Sequence, residues 1–386
     1  GQIIMAKLSS SNGLEKRPKL RFPGFYEPWK VFKAEELFQN ITDKNHPDET
    51  VLTIIQGKGT LPREQAGRNI HYDDASLSNY KRVEQGDFII HLRSFEGGLE
   101  MANEAGIVSP AYTILRCKRP HASLFYDAYF HTDEFINHNL SKSVEGIRDG
   151  RQISYEAFKW LGIPYCEPTE QEKISSLFSV LNERITKQRD LIESLKKYKR
   201  GAVAHILSGK SVAFAVTSSW TEHTLSELCT EFRSGRNISA TLIHQNGNYP
   251  VYGGNGIRGY CNQYSHDGEY VVVGRQGALC GNVRLIQGKN YLSEHAIAVQ
   301  ANEANETKFL LYLLDYMKLG QYSDQGAQPG LAVNKLLRLK CMVPDKQTQI
   351  KIASFLMSFD FQISTQERML MLLNCQRRAL LQQLFI

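Results

Sequence analysis

Apolar residues recur alternately every three and four positions along two long stretches of the chain that contain no proline. Ile174 and Ile352 begin the two series, which run 178 residues apart. This spacing is the heptad pattern of a coiled-coil seam and predicts two helices, each roughly 55 Å long. The predicted seam residues are Ile174, Phe178, Leu181, Ile185, Gln188, Ile192, Leu195, Ile352, Leu356, Phe359, Ile363, Gln366, Leu370 and Leu373.

Two polar residues, Gln188 and Gln366, occupy equivalent positions in these seams. A polar residue buried in a coiled-coil seam fixes the helix register at a cost in stability. A glutamine at the edge of the seam is simply solvated. The sequence leaves both interpretations open.

The segments that precede the two helices also resemble each other, although less closely. Trp29 and Trp220 open them, and residues 86–90 align with residues 268–272. Self-similarity of this kind indicates an internal repeat, in which a shared helical scaffold carries two diverged globular domains. The predicted boundaries are a flexible N-terminus at 1–19, globular domains at 20–168 and 220–344, helices at 169–208 and 345–386, and a linker at 209–219.

Each globular segment alternates short β-branched or aromatic runs with turns rich in Gly and Asn, a pattern that predicts strands. Short helices are predicted at 124–135 and 306–318. The expected fold class is therefore α+β, with two strand-rich mixed domains and two long helices. The predicted strands lie at 51–55, 88–91, 112–115, 270–273 and 296–299.

Composition narrows the functional classes only slightly. The formal net charge is +6, a mild bias towards polyanionic partners. No stretch approaches the roughly 20 apolar residues of a membrane span, which predicts a protein without membrane association. The seven cysteines are scattered singly, without a C-x-x-C pair, so no metal site is predicted and reduced thiols in a cytoplasm are expected.

Two short motifs resemble nucleotide-binding loops but lack the context that such loops need. Residues 254–259 match G-x-G-x-x-G, yet no helical pattern follows them, as a dinucleotide site requires. Gly209-Lys210-Ser211 resembles the end of a phosphate-binding loop, but Ala204 stands where that loop needs glycine. No catalytic motif favours an enzyme, although a dispersed catalytic site stays open as an alternative.

The order of these features resembles the specificity subunits of type I restriction–modification systems. The segment 20–25 followed by Trp29 is similar to the opening of that family, and 106–112 is similar to a core strand of its first domain. Residues 250–257 and 273–278 are similar to loops of its second domain, and 168–174 to the start of its helices. The resemblance covers the chain from about residue 20 to its end.

The resemblance implies a non-catalytic, DNA-binding protein of the bacterial or archaeal cytoplasm. In such proteins each globular domain reads one half of a bipartite DNA site. The helices pack antiparallel, set the gap between the half-sites and dock two methylation subunits, which restriction subunits then join. S-adenosylmethionine, ATP and Mg are expected in those partner subunits, with no cofactor in this chain. Apolar seams exposed without a partner leave a homodimer of the isolated chain open.

The predicted DNA contacts lie in loops where glycine lets the backbone come close and where Arg, Lys, Asn or Gln can reach base edges. For each residue a plainer explanation stays open, because Gly-Gly-Asn-Gly is often only a tight turn and an Arg after a strand is often in a surface ion pair. The predicted DNA-binding residues are Lys58, Arg63, Arg68, Arg93, Asn255, Arg258, Arg275, Gln276, Asn282 and Arg284.

A basic run near the end of the first helix has two explanations. Lys196, Lys197, Lys199 and Arg200 favour the helix dipole and are typical of a solvated face. The same cations could contact phosphate or dock the methylation subunit. The main alternative for the whole chain is a coiled-coil scaffold whose globular domains bind protein rather than DNA.

Overall fold

The computed structural model describes residues 4–5, 15–66, 74–146, 151–208, 219–277, 279–324 and 330–385. The chain divides into two compact units, one comprising residues 1–189 and 369–386 and the other residues 190–368. Both boundaries fall inside the long helices, so each unit contains a globular domain and a segment of each helix. The predicted linker 209–219 lies outside the described residues except for Ser219.

The first unit is built from short strands around a four-stranded antiparallel sheet of order β10-β9-β12-β5. Its helices are α1 (Ala34–Leu37), α2 (Ser94–Gly97), α3 (Ser123–Phe130) and α4 (Tyr155–Phe158). Its strands are β1 (Ile4–Met5), β2 (Glu15–Lys16), β3 (Leu20–Arg21), β4 (Trp29–Lys33), β5 (Phe38–Ile41), β6 (Leu52–Ile55), β7 (Gly59–Pro62), β8 (Lys81–Val83), β9 (Phe88–Ile90), β10 (Glu100–Met101), β11 (Gly106–Val108), β12 (Thr113–Cys117), β13 (Val144–Glu145), β14 (Gln152–Ile153) and β15 (Gly162–Tyr165).

The first long helix, α5 (Pro168–Leu207), begins on a buried ion pair. The Arg21 guanidinium donates from Nε and Nη2 to the two carboxylate oxygens of Glu170, at 2.9 and 2.8 Å. The indole Nε1 of Trp29 donates to the same carboxylate at 2.9 Å. The Trp29 ring then packs edge-on against Phe125 and Phe385. One carboxylate thereby joins the helix to two strands of its domain.

The second unit contains a six-stranded sheet of order β17-β22-β20-β21-β18-β19, in which only the β18–β21 pairing is parallel. Helix α7 packs on this sheet through buried residues such as Phe309 and Leu313. The helices of this unit are α6 (Leu225–Leu228), α7 (Thr307–Tyr316) and α8 (Val333–Leu337), and the strands are β16 (Thr221–Thr224), β17 (Cys229–Ser234), β18 (Tyr249–Gly253), β19 (Gly256–Cys261), β20 (His266–Gly274), β21 (Val283–Leu292), β22 (Ala296–Ala301) and β23 (Lys340–Val343).

Within each unit, the last long helix, α9 (Lys346–Phe385), runs antiparallel to α5. In the first unit Arg377 Nε donates to Asn182 Oδ1 at 2.8 Å, and in the second Lys199 Nζ lies 2.6 Å from Asp360 Oδ1. Lys199 and Arg377 are 178 residues apart, as are Asn182 and Asp360. The repeat therefore places equivalent pairs at equivalent helix positions. Every predicted seam residue is buried or half-buried, Gln188 and Gln366 being half-buried.

A repeated glutamine fastens the start of each long helix to its own domain. In the first unit Gln171 accepts from Ala122 N at 3.1 Å and donates to Cys166 O at 2.8 Å. In the second, Gln349 accepts from Glu306 N at 3.0 Å and donates to Pro344 O at 2.9 Å. Both glutamines are buried. They satisfy backbone groups that would otherwise be buried without partners.

One local expectation differs from the structure. The flexibility of segment 1–19 stays a prediction, and its described parts contain β1 and β2, which pair with β3 and β4. The predicted helix 124–135 is interrupted after Phe130, and a π-helical turn follows at Glu134–Asn139. At the interruption the Thr132 hydroxyl donates to Tyr129 O and accepts from Phe135 N. Such local side-chain bonds compete with the helical backbone pattern.

Candidate nucleic-acid interface

In the second domain, a glycine turn packs directly on the loop that follows β20. The turn joins β18 to β19, with Gly253 paired to Gly256. A side chain at Gly254 would place its Cβ 2.6 Å from Gln276 O, and one at Gly274 would place it 2.3 Å from Gly254 O. Only glycine allows these backbones to come so close. The two loops predicted separately from the sequence are therefore one surface.

Two predicted arginines flank this turn. The stem of Arg258 lies on Gly253, where a Cβ would be 2.5 Å from Arg258 Cδ. The guanidinium of Arg284 lies over Gly256, where a Cβ would be 2.7 Å from Arg284 Nη1. Both arginines are exposed, and neither has a carboxylate partner within the described ranges. The turn thus carries two positive charges that no carboxylate among the described residues of this domain pairs with.

The other predicted residues of this domain fall into two groups. Asn255 and Asn282 are exposed, at the turn and just before β21. Gln276 and Arg275 are half-buried and already bonded. Gln276 Oε1 lies 2.5 Å from His295 Nδ1, and Arg275 donates to the carbonyls of Glu294 and Leu331 at 3.2 and 3.4 Å. DNA contact by any of these residues stays a prediction, and Arg275 also braces its own loop.

In the first domain, one predicted contact lies on the turn 56–58 between β6 and β7, with exposed Lys58 at its tip. The amides of Gly57 and Gly59 donate to the two carboxylate oxygens of Glu100, at 2.6 and 2.9 Å. The carboxamide nitrogen of Asn103 donates to Lys58 O at 2.8 Å and Thr60 O at 2.9 Å. Side chains from β10 and its exit loop therefore hold the turn from both its N–H and its C=O groups.

Glu100 lies at the centre of a buried polar network. His131 Nε2 lies 3.3 Å from its carboxylate, and His131 Nδ1 lies 2.7 Å from Asp127 O. Burial alone would raise the pKa of Glu100, but the bonds from His131 and from the turn amides outweigh it and lower that pKa. Burial alone would lower the pKa of His131, but the bond to Glu100 and the charge of Asp127 raise it. The pair is therefore favoured in its ionised form.

Sequence reasoning missed Glu100 and Asn103. Neither belongs to a motif, and each acts on residues more than 40 positions away, with separations of 43 and 45 residues for the bonds to Gly57 and Lys58. No local pattern marks a contact of that range. Only the glycines of the turn, with positive φ at Gly57 and Gly59, signal a tightly held backbone.

The remaining predicted cations of the first domain differ in the exposure and the contacts of their side chains. Arg93 is exposed, but its guanidinium lies 2.7 Å from Glu96. Arg63 is half-buried and lies over the Tyr80 ring at 5.9 Å. Arg68 lies outside the described residues. Gln56 packs against Gly97 of α2, where a Cβ would meet Gln56 Nε2 at 1.9 Å. This contact brings the turn beside the helix that follows Arg93.

The basic run on α5 is partly neutralised by the second long helix. Lys199 pairs with Asp360 at 2.6 Å, and Lys196 with Glu367 at 3.0 Å. Tyr312 also donates to Asp360, at 2.6 Å, and burial together with this contact raises the pKa of its hydroxyl. Two of the four cations therefore hold the helices of this unit together.

A hydrogen-bonded chain in the second domain has the composition of a hydrolase triad. Ser265 Oγ lies 2.7 Å from His266 Nδ1, and His266 Nε2 lies 3.2 Å from Glu231 Oε1. The Ser265 oxygen also accepts the amide of Leu292 at 2.9 Å, and the His266 side chain is 6% exposed. These bonds link the start of β20 to β17 and β21.

Parts of the chain match known proteins. Residues 217–371 match the family described as type I restriction modification DNA specificity domain. The specificity subunit of the type I restriction enzyme EcoprrI from Escherichia coli is 46% identical over 141 residues, which cover 36% of this chain and 35% of that protein. Residues 217–371 therefore match a type I DNA specificity domain, and the chain is similar to type I specificity subunits. The resemblance read from the sequence is confirmed, although the chain matches only about a third of that relative's length.

Solved structures show the same fold over a longer span. The S subunit of the type I restriction–modification system from M. genitalium has a TM-score of 0.64 at 18% identity, covering 96% of this chain and 99% of that one. A second solved structure concerns complex assembly and conformational transition of the type I R-M system. It has a TM-score of 0.52 at 15% identity and covers 92% of this chain and 97% of that one. These likenesses confirm the predicted α+β class with two long helices.

Within the described ranges, none of the helices combines the length and the hydropathy that a membrane span requires. Within the same ranges, no group of three His, Cys, Asp or Glu side chains is placed to hold a metal ion.

Proposed function

We propose that this chain is the non-catalytic DNA-recognition subunit of a type I restriction–modification complex, in which each globular domain reads one half of a bipartite, gapped site. The observation that carries the proposal is the glycine turn of the second domain. It brings two loops together and presents Arg258 and Arg284, both exposed and without carboxylate partners among the described residues. The matching family model for residues 217–371 supports the same conclusion.

The arrangement suits DNA reading because its side chains can read bases while its backbone amides can contact phosphates. Exposed arginines can pair bidentately with guanine in the major groove, and asparagine can pair with adenine. Amides of a glycine turn can approach phosphates closely. We assign Arg258, Arg284, Asn255 and Asn282 to the half-site of the second domain. We assign Lys58 to the half-site of the first domain.

The two long helices would set the gap and dock the partners. Large apolar side chains are exposed on them, including Val180, Tyr198, Phe361 and Met371, as expected of surfaces that bind other proteins. We propose methylation subunits as the occupants, with restriction subunits joining later, and copurification with a methylation subunit tests this. The S-adenosylmethionine, ATP and Mg chemistry would belong to those partners, in a cytoplasmic complex.

Shortening both helices should shorten the recognised gap. Deleting 188–194 and 366–372 removes one heptad from equivalent positions of the repeat, which is about 10 Å of helix. We expect a gap shorter by at least one base pair, read by mapping methylated adenines in cells that also supply a methylation subunit. An unchanged gap would show that the helices do not set the distance.

Salt dependence separates DNA recognition from the alternative of a protein-binding scaffold. The whole chain should bind double-stranded DNA. The logarithm of its association constant should fall linearly with the logarithm of the salt concentration. A slope of about −3 or steeper corresponds to three or more neutralised phosphates. Fluorescence anisotropy with a random-sequence duplex measures it. Absence of binding at low salt would favour the scaffold.

A further inference from the structure

The recognition turns of the two domains are held in different ways. In the second domain the turn packs against the backbone of the loop after β20, where Gln276 lies 2.5 Å from His295. In the first domain the support is a charged side chain, since both oxygens of Glu100 are committed to the turn amides of Gly57 and Gly59. Glu100 itself has no exposed surface.

A buried carboxylate that accepts two amides of one turn fixes that turn more firmly than neutral bonds do. Charge-assisted hydrogen bonds are roughly twice as strong as neutral ones. In addition, the carboxylate would be buried without partners if the turn moved away, which is costly. Asn103 holds the carbonyls of Lys58 and Thr60 at the same time. The backbone around Lys58 is therefore fixed while its side chain stays exposed.

We propose that Glu100 is the positioning residue for sequence reading by the first domain. It touches no DNA, and it acts by holding the turn 56–58 where Lys58 and the turn backbone meet their half-site. The inference rests on the proposed function. A purely structural Glu100 would instead contribute stability without affecting which bases are accepted.

Glu100→Gln tests the proposal, with Asp87→Asn as the matched control. Glutamine keeps the size of the side chain but turns an NH2 group towards one turn amide, so one bond is lost. Asp87 is also a buried carboxylate of this domain, bound by Arg116 at 2.7 and 2.9 Å and by Glu84 N at 2.8 Å. It does not touch the turn, so its loss affects stability alone.

Each variant is co-expressed with a methylation subunit, and methylation is compared at cognate sites and at sites with one changed base. For Glu100→Gln, we expect discrimination in the half-site of the first domain to fall about tenfold, with the other half-site unchanged. For Asp87→Asn, discrimination at both half-sites should stay as in the wild type. Thermal melting of the purified chains shows whether the two variants lose similar stability.

The outcomes separate the two claims. Wild-type discrimination in Glu100→Gln, or an equal loss in Asp87→Asn, would overturn the positioning role. A wild-type chain that directs no gapped methylation would overturn the proposed function itself. If Glu100→Gln fails to fold, Glu100→Asp decides, because it keeps the negative charge beside His131 but is one methylene shorter and cannot reach both turn amides. Unchanged first-half-site discrimination in that variant would also overturn the proposal.

Discussion

Replacing Glu170 by Ala lowers the free energy of unfolding of the first unit by about 3–5 kcal/mol, the typical cost of removing one partner of a buried ion pair. Both partners are shielded, with side-chain exposures of 9% for Arg21 and 2% for Glu170. Removing the carboxylate leaves the Arg21 charge and the Trp29 indole N–H without their partner. Urea unfolding followed by tryptophan fluorescence measures the loss.

Two comparisons establish that burial causes this effect. Glu183→Ala breaks the exposed Glu183–Lys187 pair of the same helix, whose side chains are 61% and 74% exposed, and should leave the free energy of unfolding nearly unchanged. A double variant, Arg21→Met with Glu170→Leu, should recover most of the loss because it removes both charges. A Glu170→Ala loss no larger than that of Glu183→Ala would contradict the account.

The second copy of the repeat lacks this ion pair. Thr348 stands 178 residues after Glu170 and bonds to Asp345 instead, at 2.9 Å. Among the described residues, the indole nitrogen of Trp220 is buried and has no hydrogen-bond partner. The glutamine that follows, Gln171 or Gln349, keeps the same bonds in both copies. The repeat therefore preserves the attachment of each helix by glutamine but not by charge.

We expect the replacement of Arg258 and Arg284 by Ala to relax recognition only at the half-site that we propose for the second domain. Each lost arginine contact should cost about 1–3 kcal/mol of base discrimination, or roughly tenfold to a hundredfold. Both side chains lie on the glycine turn, so their loss leaves the fold of the turn intact. The methylation pattern of the double variant, compared with that of the wild type, measures the change.

Arg233→Ala is the matched control for the arginine variants. Arg233 is exposed in the same domain, but its Nε lies 2.7 Å from Glu231 Oε1. Its charge is already balanced, and its removal should leave both half-sites unchanged. Wild-type discrimination in the double variant of Arg258 and Arg284 would contradict the assignment of this turn to DNA reading. The half-site that the variant relaxes also identifies which half belongs to which domain.

The sequence predicted those features that depend on short-range spacing. The heptad positions recur every three or four residues, so Ile174, Leu181 and Ile352 could be assigned to a seam that the structure buries. The glycine turn at 253–256 was visible as a tight loop. The strand predicted at 296–299 lies within β22 (Ala296–Ala301). In each case neighbouring residues alone determine the local structure.

Features that depend on contacts across the fold could not be predicted. Glu170 and Arg21 are 149 residues apart, and Glu100 holds a turn 43 positions earlier. The roles of the predicted cations also differ for this reason. Arg275 bonds to the carbonyl of Leu331, 56 residues away, whereas the partner of Arg93, Glu96, lies only three positions on. The Arg275 contact could be found only in the structure, whereas the Arg93–Glu96 pair could be predicted from its three-residue spacing.

The central claim is that this chain directs methylation to a gapped, two-part DNA site. The most direct measurement is to co-express it with a methylation subunit in cells that lack other methylation of this kind and to map every modified adenine. We expect one asymmetric motif, with two specified segments separated by a gap of fixed length and unspecified sequence. A continuous motif, or no modification with a competent methylation subunit present, would contradict it.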